Sequence, residues 1–102
     1  AIGGGSLNLA QGIYAVISGG TLNNATHGHS SIAGGRKNQV TADYCFVGGG
    51  GTDALDSVTL GNLCSGTFGT VTGGFQNTAN AAYSFIGGGS ANLASGQYVI
   101  VS

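Results

Sequence analysis

A fifteen-residue period constrains this chain more than anything else in it. The stretch Gly4–Ser18, GGSLNLAQGIYAVIS, returns as GGTLNNATHGHSSIA from Gly19 and as GGRKNQVTADYCFVG from Gly34. It returns again as GGFQNTANAAYSFIG from Gly73 and as GGSANLASGQYVIVS from Gly88. Self-similarity at a short fixed period is the mark of a stacked array, so the repeat decides the architecture before any local propensity does. Residues 1–102 read as one repeat domain.

Four columns run through the array. Aliphatic residues recur at Ile2, Ile17, Ile32 and Val47, then at Val71, Ile86 and Val101. Asparagine recurs at Asn8, Asn23 and Asn38, with Asp53 in phase, then at Asn62, Asn77 and Asn92. Three residues before each aliphatic stands Tyr14, His29, Tyr44, Phe68, Tyr83 or Tyr98. Two residues after each Asn (or Asp53) comes a small or apolar residue: Ala10, Ala25, Val40, Leu55, Cys64, Ala79 and Ala94. Val47 and Val71 are 24 residues apart, where two periods would give 30. That step reads as two irregular, shortened coils at about 48–70.

The 22 glycines argue against helix, where each would cost roughly 1 kcal/mol. Segments such as Tyr14–Ile17 and Tyr83–Ile86 are short, rich in β-branched and aromatic residues, and bounded by turn residues, as strands are. Each coil is expected to hold two short strands joined by tight turns, with coils about 4.8 Å apart and a rod of roughly 30 Å. The fold class is therefore all-β, a parallel β-solenoid of about fifteen-residue coils. Alternation puts Ala15 and Ile17 in the lumen, and Tyr14 and Val16 on the outer face. Strands apolar on both faces are usually covered on both. The column Tyr14, His29, Tyr44, Phe68, Tyr83, Tyr98 is accordingly expected to be an oligomer interface, since an exposed aromatic stripe invites association. Asn8, Asn23, Asn38, Asn62, Asn77 and Asn92 are expected to form a structural ladder, passing amide hydrogen bonds from coil to coil. Asn also tolerates the left-handed turn conformation, and the Gly pairs turn the other corner.

A net charge of −1 carries no footprint for nucleic acid. No apolar run is long enough to span a bilayer as a helix, so this segment is not expected to be membrane-embedded. Without Met, and with both ends at nearly the same phase, the chain reads as a window cut from a longer array.

Ser57-Val58-Thr59-Leu60-Gly61-Asn62, with the elements Ala10-Gln11-Gly12, Cys64-Ser65-Gly66 and Ala94-Ser95-Gly96, resembles the YadA-like head repeats of trimeric autotransporter adhesins. Gly-Gly-x-x-Asn-x-Ala-x-Gly-x-Tyr arrays are also similar to segments of phage tail fibres. The resemblance implies a left-handed β-roll, three chains about one axis, and a place outside the cell or at its surface, with a virion as the alternative. The units here are longer than the family's and use Tyr and Gly-Gly more regularly.

Candidate chemistry is sparse. Gly48–Asp56, GGGGTDALD, fits one calcium-binding nonapeptide, but a calcium roll needs successive copies, and the next nine residues lack the glycines. It is read as a structural turn. His27-Gly28-His29 places two imidazoles on one side of a strand, and three such pairs about an axis could ligate a transition metal. The simpler reading substitutes His29 for Tyr and His27 for a turn residue, so no metal and no cofactor is assigned. Cys45 and Cys64 are too few for a disulfide framework. By repeat phase they lie more than one coil apart, which favours buried free thiols. Arg36 and Lys37 lack phosphate-loop spacing and are assigned to a solvated turn. Asn24-Ala25-Thr26 is one glycosylation sequon. With no Glu and no defensible catalytic set, an enzyme is not expected.

The leading expectation is a structural or adhesive module of an extracellular fibre: a homotrimeric shaft or head touching a host receptor, matrix or glycan. The alternatives are a self-assembling filament subunit and a phage tail-fibre segment. An ice-binding solenoid would need a flat Thr or Ser array, and Leu9, Asn24, Gln39, Ala54, Thr78 and Leu93 are too mixed.

Overall fold

The structure, a computed structural model, describes residues 2–52, 61–96 and 99–101. Those residues contain no helix and wind as a parallel β-solenoid of about six turns. One wall is a sheet of β1 (Leu9–Ala10), β3 (Asn24–Ala25), β5 (Gln39–Val40), β7 (Leu63–Cys64), β9 (Thr78–Ala79) and β11 (Leu93–Ala94). The facing wall stacks β2 (Val16–Ile17), β4 (Ser31–Ile32), β6 (Phe46–Val47), β8 (Thr70–Val71), β10 (Phe85–Ile86) and β12 (Ile100–Val101). A third side is only one residue wide, bridging Ser6, Thr21, Arg36, Gly51, Phe75 and Ser90 in turn.

The strands are shorter than the sequence suggests because left-handed residues interrupt every coil. In the first described coil these are Gly5, Leu7 and Tyr14, at φ 83, 58 and 60°. Only Leu9–Ala10 and Val16–Ile17 remain extended between them. Tyr14 is therefore a turn residue and not the start of a strand. Nor is Asn the left-handed member of its corner, a place taken by the residue before it: Leu7, Leu22, Lys37, Gln76 and Ala91. The second Gly of each pair is required twice over. Gly20 sits at φ 88°, and a Cβ there would run into the carbonyl oxygen of Gly35 one coil on.

Asn instead ties three backbone strands together. Asn23 Oδ1 accepts the N–H of Asn38 at 3.0 Å, while its Nδ2 donates to Gly19 O at 3.1 Å and Gly35 O at 3.0 Å. The pattern continues through Asn62, Asn77 and Asn92. The ladder is thus side chain to backbone rather than amide to amide. It places a polar group in a fully buried corner with its donors and acceptor satisfied.

The lumen is narrow and lined by apolar side chains. Ala25, Val40, Cys64, Ala79 and Ala94 meet Ile32, Val47, Val71 and Ile86 across it, all fully buried. Volumes compensate within a coil: Ala25 faces Ile32, whereas Val40 faces Val47, as close packing demands.

The long step is resolved differently from the sequence reading. Val40 pairs directly with Cys64, Val47 with Val71 and Gly51 with Phe75, each 24 residues on. One coil with a nine-residue insertion, not two shortened coils, lies between them. Thr52 N–H donates to Arg36 O as Lys37 N–H donates to Thr21 O, and Asn62 N–H then takes up Asn38 Oδ1. The insertion is therefore residues 53–61, and the Asn column passes from Asn38 to Asn62 without Asp53. Asp53, Leu55 and Asp56, with most of the calcium-type nonapeptide's second half, lie outside the described residues.

This register also overturns the expectation of free thiols. Cys64 stands one coil above Val40, so it faces Cys45 across neighbouring turns, and the two form a disulfide with Cα atoms 6.0 Å apart. Gly69 makes room for it. Where other coils carry Ala15, Ser30 or Ser84, a Cβ on Gly69 would come within 2.7 Å of Cys64 Sγ.

Candidate functional site

The aromatic corner is built by a turn that closes Ala15 N–H onto Gly12 O at 3.0 Å, and Gly69 N–H onto Gly66 O at 2.9 Å. The third residue of each turn is left-handed and carries the ring: Tyr14, His29, Tyr44, Phe68 and Tyr83, all between φ 56 and 61°. Their amides are committed along the axis. His29 N–H donates to Ile13 O, and Tyr44 N–H to Gly28 O, at 2.8 and 3.1 Å. Coil spacing then dictates ring spacing. The centroids of His29, Tyr44, Phe68 and Tyr83 follow at 4.8, 4.8 and 5.2 Å with planes within 9° of parallel, and Tyr14 joins His29 at 5.0 Å, tilted by 37°. Tyr98, expected in the same column, lies outside the described residues.

A left-handed conformation costs a side-chain-bearing residue about 1–2 kcal/mol. A ring–ring contact returns about 0.5–1.5 kcal/mol. The two nearly cancel, so the ladder brings a single chain little stability. It also leaves large apolar surface in water: Tyr14 is 74% exposed, and Tyr44, Phe68 and Tyr83 each about half. Beside it Val16, Phe46 and Phe85 in β2, β6 and β10 are exposed as well. The expected outer face is therefore present, although the rings belong to turns.

The two histidines do separate things. His29 is clasped between the rings of Tyr14 and Tyr44. His27 is exposed, with Nδ1 3.0 Å from Thr26 Oγ1, which itself donates to Val40 O at 3.1 Å. Next to it Asp43 Oδ1 accepts the Gly28 N–H at 2.9 Å. Gly28, between Ile13 and Asp43 in its column, leaves a shallow depression of about 510 Å³, lined by Gln11, Ile13, Thr26, His27, Asp43 and Tyr44. The imidazoles flank a turn glycine instead of sharing a strand face. Among the described residues no three His, Cys, Asp or Glu side chains gather as a metal site.

The sequence reading missed two features. The disulfide was hidden by the ambiguous 24-residue step, although Gly69, the one glycine in the column Ala15, Ser30, Cys45, Gly69, Ser84, Val99, marked the space it fills. Lys37, assigned to a solvated turn, is 7% exposed. No protein-family model matches the chain, and no curated protein sequence matches it.

Proposed function

We propose that this chain is a structural and adhesive segment of an extracellular fibre, in which identical chains pack together along the aromatic corner. The observation that carries the reading is the exposed ladder Tyr14–His29–Tyr44–Phe68–Tyr83, held in left-handed turns. Such strain persists where the surroundings or the function require it. A chain meant to stand alone would place Gly or Asn there at no cost. Three copies about a common axis, with left-handed coils, is the arrangement implied by the resemblance to YadA-like heads. The Cys45–Cys64 disulfide supports an oxidising compartment such as the cell exterior. The role is mechanical and non-catalytic, and any receptor, matrix component or glycan would be met along the outer walls.

The test is mass in solution by sedimentation equilibrium, for the chain and for Tyr44→Gly/Tyr83→Gly. A discrete oligomer is expected for the first, and a folded monomer for the second. A monomeric parent chain overturns the proposal, and open-ended polymers replace it with a filament subunit.

A further inference from the structure

The depression at the aromatic corner exists because one position carries no side chain. Gly28 belongs to a column whose other described members are Ile13, Asp43, Thr67 and Ala82. Backbone geometry does not call for glycine there. Gly28 lies outside the left-handed region, and a Cβ on it would meet, beyond its chain neighbours, only Ile13 O at 3.5 Å and Asp43 Oδ1 at 3.6 Å. Those are ordinary contact distances. Gly12, one position earlier in the preceding coil, differs, because a Cβ there would run into the carbonyl of His27. Glycine at 28 instead leaves a space one side chain thick between Ile13 and Asp43, whose coils are about 9.6 Å apart along the axis. The depression of about 510 Å³ opens over this space.

Its lining is mixed. Exposed Ile13 gives an apolar wall and Tyr44 an aromatic flank. Asp43 stands opposite Ile13: its Oδ1 holds the Gly28 N–H at 2.9 Å, and its Oδ2 accepts no bond from the described residues. The Gln11 amide and His27 Nε2, on the same rim, have no partner among them either. Apolar surface with a few converging polar groups is the usual make-up of a small-ligand site. An anion would be repelled by the Asp43 carboxylate, and a bare cation would leave the apolar wall unused. A hydroxylated ring answers the whole set. Its C–H face covers Ile13, and each hydroxyl both donates and accepts, so it serves Asp43 as donor and Gln11 or His27 as either. We propose that the depression binds one pyranose ring of a neutral saccharide, seated over Gly28 between Ile13 and Asp43. The site adds a ligand class to the adhesive reading and stands within a single chain.

The experiment titrates the full chain with methyl glucoside, methyl galactoside and N-acetylglucosamine in turn, read by the backbone amide shifts of His27, Gly28 and Asp43. N-acetylneuraminate is the anionic comparison. Saturable shifts are expected with at least one neutral sugar, and affinity about tenfold weaker for N-acetylneuraminate. Gly28→Leu, which fills the space, is expected to weaken binding about tenfold. Asp43→Asn keeps an acceptor for the Gly28 N–H but loses the charge, and several-fold weaker binding is expected. Absence of saturation with all three sugars, unchanged binding in Gly28→Leu, or equal affinity for N-acetylneuraminate overturns the proposal. If Gly28→Leu fails to fold, Asp43→Asn decides, and unchanged binding there overturns it. Sedimentation of the same parent sample separates this site from the fibre reading: a discrete oligomer without sugar binding removes the site alone.

Discussion

Asn38 meets three backbone groups with its side chain and the Asn23 side chain with its own amide, joining three successive coils, and no smaller residue can. Its Nδ2 donates to Gly34 O and Gly50 O, its Oδ1 accepts from Asn62, and its own N–H reaches Asn23 Oδ1. Asn38→Ala leaves the buried Asn62 N–H and the Gly34 carbonyl without this partner, each costing about 1–3 kcal/mol less any relief from water, while Gly50 O keeps the Arg36 N–H. Denaturant unfolding is expected to show a loss of about 3 kcal/mol. Asn38→Asp is expected to cost more, because it turns a donor into a buried acceptor facing two carbonyl oxygens. Equal effects of the two substitutions would argue against the bridging role. Gly69 allows a second test at this scale. Gly69→Ser is expected to cost about 1–3 kcal/mol in the oxidised chain, through overlap with the Cys64 sulfur and the Gly66 carbonyl oxygen, and less in Cys45→Ala/Cys64→Ala, where the overlap with the carbonyl alone remains.

At the scale of the coil, Thr52 and Asn62 occupy consecutive positions of the repeat, and residues 53–61 lie between them in the chain. Deleting them is expected to keep the far-ultraviolet circular dichroism of the parent and to leave the unfolding midpoint equal or higher, since a loop is being closed. A loss of β signal would mean that the insertion is part of the stack. The same coil shows where the sequence was readable. Column arithmetic reports directly on stacking, so the lumen residues Ile17, Ile32, Val47, Val71 and Ile86 and the Asn corner were legible from spacing. The step of 24 was not, because thirty less six and fifteen plus nine are the same number. Asp53, fifteen residues after Asn38, favoured the wrong choice. Tyr14 and Tyr83 misled for another reason. Aromatic residues beside β-branched ones read as strand, and only the stacked turns hold them left-handed against that preference.

For the whole molecule, among the described residues the strands of each coil contact only those of the same and neighbouring coils, so stability is a sum over coils and interfaces, in the manner of other solenoids. Loss should spread inward from whichever coil is least supported. Cys45 and Cys64 bear on this in a way that static packing does not show. Under tension applied at the two termini, hydrogen bonds that run along the axis release one coil after another, as thread leaves a spool. The covalent tie holds the 18 residues between the cysteines out of that release, about 60 Å of chain. Single-molecule pulling is expected to give a final length longer by that amount once a reductant is added. An unchanged length would show that the tie does not form. A fibre of such spools would yield in steps under load, with one stretch of each chain kept in reserve until its environment turned reducing.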